Sequence, residues 1–328
     1  MHHPEDLEHV LLGLAGGVLH AVQRRAQGRP RLLALRLRLE RLPDQLAAGG
    51  EVAEDDVLLG AEVAEDYRHQ TTLITGASSG LGALFARRLA ARGSHLVLVA
   101  RRADRLESLA AELTRQHGVT VTPITMDLAQ PGAGAKLAAV VAERDLDVTS
   151  LINNAGFGTH ALFHEADPRR IIDEITLNVT SLTEISRAFI GRLRAHGGGV
   201  LVNVASIAGY QPSPTLAVYA ATKAYVLSFT EALWSESRGT GLRVMALSPG
   251  ATATEFFDVA GQGADGGTSR MSADTVVDLA IKALDRRNPP PSLITGARNR
   301  IMMGASRLAG RRITLAALGA MMRQTERR

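Results

Sequence analysis

Short apolar runs alternate with longer stretches of mixed polarity from residue 71 to residue 294 of this chain. Because the runs are apolar throughout, they predict parallel strands that helices cover on both faces. The predicted strands are Thr71–Thr75, Leu96–Ala100, Val119–Thr125, Val148–Ile152, Val200–Val204, Val244–Leu247 and Ser292–Ile294. The predicted helices are Leu81–Arg92, Asp104–His117, Gly134–Glu143, Ile171–His196, Ala217–Arg238 and Ala273–Arg287. This alternation predicts a single α/β domain, a doubly wound, Rossmann-like parallel sheet of about seven strands with helices on both faces.

Both ends of the chain depart from this pattern, so the α/β domain is predicted to span residues 69–296. Residues 1–68 carry an alternation of arginine and leucine and then an acidic run, Glu51–Asp56, but no recognisable chemistry. We interpret them as a poorly ordered extension or a misplaced start, with a partner-binding extension as the alternative. Residues 297–328 form a basic amphipathic tail, in which apolar residues and arginines mix over Ile301–Arg323. Such a tail suits packing on its own domain or on another subunit better than contact with an anionic membrane surface.

The composition is that of a folded protein, since 45% of the 328 residues are hydrophobic and 21% are charged, close to the globular average. The formal net charge of +4 is small and the basic residues are spread along the chain, which argues against a nucleic-acid partner. The chain has no cysteine and its 10 histidines are scattered, so disulfides are excluded and no metal site is predicted. No segment reaches the ~20 apolar residues of a membrane-spanning helix, and we predict a cytoplasmic protein.

A glycine-rich segment lies where the first predicted strand meets the first predicted helix. Its spacing is Gly-x-x-x-Gly-x-Gly, with glycines at Gly76, Gly80 and Gly82. Glycine lets the backbone turn tightly against a pyrophosphate, whose charge the free amide groups at the helix start can receive. An ordinary turn has the same composition, but the strand-turn-helix context favours a dinucleotide site. Ser78 and Leu81 lie in the same turn and are predicted cofactor contacts.

Two arginines, Arg101 and Arg102, follow the second predicted strand. An acidic residue at this place would bind the ribose hydroxyls of NAD, and the sequence has none there. Guanidinium groups suit a ribose 2′-phosphate, to which Ser78 can add a hydroxyl donor. The alternative is that the two arginines only begin a solvated helix. We therefore predict NADP, as NADPH, in preference to NAD.

Tyr219 and Lys223 stand four residues apart in a predicted helix, so their side chains lie on one face, one turn apart. A nearby ammonium favours phenolate, which predicts a lowered tyrosine pKa suited to proton exchange with an alcohol. The alternative is a surface cation beside a half-buried aromatic ring. Ser206 follows a predicted strand, at the edge where open parallel sheets bind their ligands, although a serine there also suits a helix or turn cap.

Several motifs occur in order along the chain. They are Thr75-Gly76-x-x-x-Gly80-x-Gly82, Asn153-Asn154-Ala155-Gly156, Asn178, Ser206, Tyr219-x-x-x-Lys223 and Pro249-Gly250. Through these motifs the chain from about Thr71 to Ile294 resembles the short-chain dehydrogenase/reductase family. The resemblance implies an oxidoreductase that transfers a hydride between a nicotinamide cofactor and a carbonyl or alcohol.

The resemblance also implies a role for each residue of the catalytic set. Tyr219 is the general acid in reduction and the base in oxidation, and Ser206 holds the reacting oxygen. Lys223 tunes Tyr219 and binds the nicotinamide ribose, and Asn178 holds a water that links the lysine to solvent. Further implied cofactor contacts are Asp127 at the adenine, Asn154 and Gly156 beside the adenosine ribose, and Pro249, Gly250, Thr252 and Thr254 at the carboxamide.

Three segments are expected to surround the nicotinamide end and to select the substrate. They are Phe157–Phe163, Ile207–Leu216 and Glu255–Arg270. Four apolar residues in them predict a lipophilic ketone, aldehyde or alcohol as substrate. These four are Phe163, Leu216, Phe256 and Phe257. The glycines of the last segment suit either a mobile lid or a plain connection.

The alternative function is a non-catalytic NADPH-binding regulatory protein on the same fold, which would not need the whole catalytic set together. A protein that acts at a membrane surface, with the sheet only as a scaffold, is favoured less. The resemblance further implies a homo-oligomer that associates through Ile171–His196 and Ala217–Arg238. The predicted partners are therefore a small-molecule substrate and further copies of the chain, without nucleic acid.

Overall fold

The computed structural model describes residues 66–261, 263, 264, 268–308, 312 and 315. The fold reported below belongs to the described residues from 66 to 300, which lie in one of the two compact units of the chain, except that its last helix continues past residue 300. The predicted N-terminal extension lies outside the described residues except for residues 66–68. The predicted tail lies outside them beyond Leu308, except for Arg312 and Leu315.

One sheet of seven parallel strands organises the domain, in the order β3-β2-β1-β4-β5-β6-β9. The strands are β1 (Thr71–Thr75), β2 (His95–Ala100), β3 (Val121–Thr125), β4 (Ser150–Asn153), β5 (Val200–Val204), β6 (Arg243–Ser248), β7 (Thr252–Ala253), β8 (Met271–Ser272) and β9 (Ser292–Ile294). β7 and β8 pair with each other outside the large sheet. The chain order reverses between β1 and β4, so a crevice opens there at the carboxyl ends of the strands, where doubly wound sheets bind their ligands.

Helices connect successive strands and cover both faces of the sheet, as predicted. They are α1 (Gly80–Ala90), α2 (Ala103–His117), α3 (Ala133–Glu143), α4 (Pro168–Ile175), α5 (Leu182–His196), α6 (Ala217–Glu236), α7 (Phe256–Ala260) and α8 (Ala273–Leu284). A further helix, α9 (Ala297–Leu308), follows β9. A π-helical turn, Thr176–Ser181, joins α4 to α5, and a 3-10 turn, Ile207–Tyr210, precedes α6. The sequence predicted one helix over Ile171–His196, but the structure divides this stretch at the π-helical turn.

The side chains of each strand point alternately into two apolar layers. Ile74 and Leu98 pack in the layer that includes residues of α1, α2 and α8. Leu73 and Val97, their neighbours in the chain, pack in the layer that includes residues of α3 and α5. Because apolar side chains cover both faces of the sheet, a polar binding site can form at the ends of the strands.

Candidate active site

The glycine turn follows β1 and begins α1. Gly76 and Gly80 have φ angles of 67° and 53°, in the left-handed region that glycine adopts without strain. Ser79, the residue before α1, makes no capping hydrogen bond with its side chain. The amide groups in the first turn of α1 are therefore available to an anion such as a phosphate.

The loop after β4 is fastened to this turn, across the point where the strand order reverses. The Thr75 hydroxyl accepts hydrogen bonds from the backbone amides of Asn154 and Ala155, each at 3.0 Å. The Asn154 side chain in turn donates to the Thr75 carbonyl at 2.9 Å. The structure thus brings the predicted contacts Asn154 and Gly76 together in the crevice.

Arg102 projects onto the glycine turn from the start of α2. Its guanidinium donates to the Ser78 hydroxyl at 3.0 and 3.2 Å and to the Ser79 hydroxyl at 2.8 Å. Arg101, predicted to share this role, is exposed to solvent. Of the two predicted arginines, Arg102 is therefore the one that contacts Ser78.

Two charged residues at this end of the crevice were missed by sequence reasoning. Glu255 accepts hydrogen bonds from Arg102 at 2.8 Å and from Arg105 at 2.6 Å. No carboxylate directly follows β2 in the sequence, but the fold brings Glu255 to Arg102 from 153 residues away. Arg105 lies one turn after Arg102 on α2, and this i, i+3 spacing was the signal that could have identified it.

Tyr219 and Lys223 lie one turn apart on α6 and are both buried, with 8% and 4% of their surface exposed. The ammonium nitrogen of Lys223 lies 5.8 Å from the centre of the Tyr219 ring and donates to the Val204 carbonyl at 2.7 Å. Ser206 follows β5 and accepts a hydrogen bond from the Ala208 amide at 3.1 Å. Its hydroxyl therefore caps the 3-10 turn, as the alternative interpretation held. The same hydroxyl makes a hydrogen bond with Tyr219 that favours the phenolate.

The direction of the tyrosine pKa differs from the prediction. Burial raises the pKa of Tyr219 to about 12, against a lowering effect of the hydrogen bond with Ser206. Burial also lowers the pKa of Lys223 to about 8, because the ammonium loses its hydration. The predicted net lowering of the tyrosine pKa is thus wrong for this structure, because burial outweighs the effects that favour the phenolate. A phenol that stays protonated at neutral pH is suited to donate a proton.

Asn178 lies in the π-helical turn and joins the loop after β4 to α6. Its side-chain amide donates to the Phe157 carbonyl at 2.8 Å and to the Thr222 hydroxyl at 3.1 Å. Its side-chain oxygen accepts from the Phe157 amide at 3.2 Å. Single π-helical turns are frequent at functional sites, and this one places Asn178 beside the residue that precedes Lys223.

Glu174 is a buried carboxyl that sequence reasoning missed. It lies on α4 with no exposed surface, and burial raises its pKa. Its charge acts on both members of the acid–base pair and raises the pKa of each, although burial has the larger effect on both. The neighbouring residue Asp173 is exposed, so only the tertiary packing distinguishes the two.

The segment after β6 completes the crevice. The Pro249 carbonyl accepts from the Ile207 amide at 3.0 Å, and the Thr252 hydroxyl donates to the Gly250 carbonyl at 3.0 Å. Thr254 packs so close to Gly80 that a Cβ atom there would lie 3.3 Å from it. The implied carboxamide-binding segment therefore lies against the glycine turn.

Asp127 and Leu81, two further predicted cofactor contacts, lie at the same edge of the sheet. Asp127 follows β3 and accepts from the Ala129 amide at 3.1 Å. Leu81 is the second residue of α1 and is half-buried. Both positions are compatible with the implied cofactor contacts, which stay predictions.

The three predicted substrate segments meet around Tyr219. The rings of Tyr219 and Phe256 lie 5.2 Å apart, and Leu216 belongs to the same buried cluster. A Cβ atom on Gly158 would lie 3.0 Å from the Tyr219 ring. Phe163 departs from the prediction, since 67% of its surface is exposed and it lines a shallow groove with Ile175 and Ala217 instead.

The described residues contain no helix long and apolar enough to cross a membrane. Within the same part of the chain, no group of three or more histidine or acidic side chains is arranged to hold a metal ion.

Comparison with known proteins shows the family of the chain. The family model for short chain dehydrogenases matches residues 70–264, and the chain belongs to the short-chain dehydrogenase/reductase family. It is an oxidoreductase of the class that acts on CH–OH groups.

The chain is similar to several individual proteins of known name or structure. It is 40% identical over 188 residues to a sulfoacetaldehyde reductase of Chromohalobacter salexigens, a match covering 56% of this chain and 72% of that protein. A short-chain dehydrogenase of Sphingobium yanoikuyae, solved in complex with NADPH, is 38% identical with a TM-score of 0.65, covering 73% of this chain and 94% of that one. The bulky-bulky ketone specific alcohol dehydrogenase of Comamonas testosteroni is 33% identical with a TM-score of 0.62, covering 73% and 92%.

Proposed function

We propose that this chain is an NADPH-dependent carbonyl reductase or alcohol dehydrogenase for lipophilic substrates, with Tyr219 as its general acid and base. The observation that carries the proposal is that Tyr219 and Lys223 are buried one turn apart on α6, with Ser206 hydrogen-bonded to Tyr219, at the carboxyl edge of the sheet. A protein that only binds the nucleotide has no need of this set.

The residues of the crevice fit NADPH in charge and in shape. Arg102 with the two serine hydroxyls suits a ribose 2′-phosphate, because a guanidinium pairs with phosphate through two parallel donors. The uncapped start of α1 suits the pyrophosphate. The NADPH that the Sphingobium yanoikuyae relative binds supports the same choice. When bound, the nicotinamide would supply the hydride.

Each side chain of the acid–base set has a separate task in reduction. Tyr219 donates its hydroxyl proton to the substrate oxygen, and the Ser206 hydroxyl holds that oxygen by a hydrogen bond. The ammonium of Lys223, fixed on the Val204 carbonyl, stabilises the phenolate that Tyr219 leaves behind. Asn178 fixes the Phe157 loop against α6. The loop therefore keeps a constant position relative to Tyr219 and Lys223. In the oxidation direction Tyr219 takes the proton back.

The substrate side of Tyr219 is apolar. Phe256 packs on the Tyr219 ring, and Phe257 packs edge-on against Phe256 at 5.3 Å. The similarity to an alcohol dehydrogenase specific for bulky ketones supports a bulky lipophilic ketone.

The test is a screen of ketones, aldehydes and short anionic aldehydes with NADPH and with NADH. Tyr219→Phe should lower kcat/KM for the best ketone by about 10²–10⁴-fold, as expected for loss of a general acid. Tyr225→Phe is the matched control, since Tyr225 lies on the same helix with 40% of its surface exposed. Equal activity of wild type and Tyr219→Phe would contradict the mechanism. Tight NADPH binding without turnover of any substrate would favour the regulatory alternative.

We also propose that the chain is cytoplasmic and forms a homo-oligomer through the region of α4, α5 and α6. Apolar side chains on α4 and α6 are exposed there, with 61% of Ile172, 37% of Ile175 and 40% of Tyr225 accessible. Light scattering after size-exclusion chromatography checks the assembly. Ile172→Glu should shift a dimer or tetramer toward the monomer, because a charge disfavours burial of this face.

A further inference from the structure

The arginine cluster beside the glycine turn already holds an anion, the Glu255 carboxylate. One oxygen of Glu255 accepts from Arg102 at 2.8 Å and the other from Arg105 at 2.6 Å. The remaining donors of Arg102 bind the hydroxyls of Ser78 and Ser79. Glu255 thus lies where two guanidinium groups and two serine hydroxyls converge.

This set of donors suits a phosphate better than a carboxylate. Two arginines and two hydroxyls offer more hydrogen bonds than the two oxygens of Glu255 can accept, whereas a phosphate presents three oxygens and more negative charge. Arg105 belongs to the set as much as Arg102 does, since it makes the shortest of these contacts. The geometry assigns Arg105 as a second arginine for the 2′-phosphate.

The ion pairs that hold Glu255 are exchangeable. About two fifths of each side chain is exposed, 40% for Arg102, 45% for Arg105 and 43% for Glu255. Exposed ion pairs contribute little and compete with water and salt. The two arginines hold the pKa of Glu255 down at about 2, so the carboxylate is charged across the working pH range.

Glu255 also connects the two ends of the crevice. It directly precedes α7, whose first residue, Phe256, packs on the Tyr219 ring. Thr254, on its other side, packs against Gly80 of the glycine turn. Glu255 therefore belongs to a segment that contacts both the phosphate turn and Tyr219.

Resting on the NADPH preference proposed above, we propose that Glu255 occupies the 2′-phosphate subsite in the free protein and that NADPH displaces it. NADH, which lacks the 2′-phosphate, leaves Glu255 on its arginines. Glu255 then lowers the affinity for NADPH alone, and the position of the Phe256 segment depends on which nucleotide is bound.

The experiment measures the dissociation constants of NADPH and NADH by calorimetric titration, without substrate. Glu255→Gln should tighten NADPH by about fivefold, because the loss of two exposed ion pairs removes an internal competitor. NADH should change by less than about twofold. Asp258→Asn is the matched control, since it removes the same charge from the same segment and should bind both nucleotides as wild type does.

A second pair of variants isolates Arg105. In the Glu255→Gln background, Arg105→Ala should weaken NADPH by about tenfold and leave NADH unchanged, as expected for one charge-assisted contact to phosphate. An unchanged NADPH constant in this pair would exclude Arg105 from the subsite.

The outcomes separate this inference from the cofactor preference on which it rests. If Glu255→Gln leaves NADPH unchanged while wild type prefers NADPH, the inference fails and the preference stands. If Glu255→Gln weakens NADH, Glu255 is a ligand of the ribose hydroxyls and the inference also fails. If wild type binds both nucleotides equally and Glu255→Gln binds NADPH more tightly, the inference stands and the native preference does not.

Discussion

Charged groups are exposed at one end of the crevice and buried at the other. At the phosphate end, Arg102, Arg105 and Glu255 are paired but roughly two fifths exposed. At the acid–base end, Tyr219, Lys223 and Glu174 are at most 8% exposed. Water and salt screen the first group, so its contacts exchange readily with a ligand. Burial dominates the second group and shifts its pKa values.

The same sheet edge thus carries exposed and buried polar groups at different depths. The subsite proposed for the nucleotide phosphate consists of exposed ion pairs. The groups proposed to transfer a proton are buried, where loss of hydration shifts their pKa values. Substitutions at the two ends should therefore differ in kind, one changing affinity and the other changing rate and pH dependence.

The largest effect is expected from Lys223→Met at the buried end. Loss of the ammonium removes the charge that stabilises the Tyr219 phenolate, so kcat/KM for ketone reduction should fall by about a thousandfold, within the range for acid–base groups. Lys282→Met is the control, because Lys282 is an exposed lysine on α8. Steady-state kinetics with NADPH measures both. A loss below tenfold would mean that Lys223 does not support the proton transfer.

At the exposed end, Arg102→Ala should weaken NADPH by about thirtyfold, which corresponds to one charge-assisted interaction with phosphate. NADH should change by less than about threefold, and kcat at saturating NADPH should stay within a factor of about two, since Arg102 belongs to the binding end. Arg101→Ala is the control, because Arg101 is exposed and was predicted to act with Arg102. Equal losses in both variants would restore the original prediction.

The pH profile should follow the buried lysine. The pKa of Lys223 is lowered to about 8, so the ammonium is present below that pH and lost above it. The pKa of Tyr219 is raised to about 12, so the phenol stays protonated over the same range. Reduction kcat/KM should therefore be level below pH 8 and fall above it, by up to about tenfold per unit. A profile that stays level to pH 9.5 would contradict this assignment.

The smallest effect concerns stability. The pKa of Glu174 is raised by burial, so the folded state favours the protonated carboxyl and loses stability as the pH rises through that pKa. Glu174→Gln should raise the melting temperature by about 2–4 °C at pH 8, which is about 1 kcal/mol for a domain of this size. The gain should vanish near pH 4.5. Asp173→Asn, an exposed change on the same helix, should show neither effect.

Most of the fold was predictable from the sequence, because its signals are local. Most strands of the seven-stranded sheet contain a short apolar run, and buried positions recur at each turn of the helices. The π-helical turn at Thr176–Ser181 was not predicted, because the residue spacing there continues the helical pattern of its flanks. The helix α7 was missed as well, since its five residues are too few to show a period.

The sequence by itself determined the glycine turn, the place of an arginine beside Ser78 and the spacing of Tyr219 and Lys223. These features depend on residues close in the chain or on the fixed edge where parallel strands end. Family membership followed from the same motifs and is confirmed.

The tertiary structure decided everything that depends on residues far apart in the chain or on depth. It brought Glu255 to Arg102 across 153 residues, turned Phe163 toward solvent and buried Glu174 beside the acid–base pair. It also reversed the expected direction of the Tyr219 pKa. The physical reason is that desolvation and long-range pairing are properties of packing, which the spacing of residues along the sequence does not reveal.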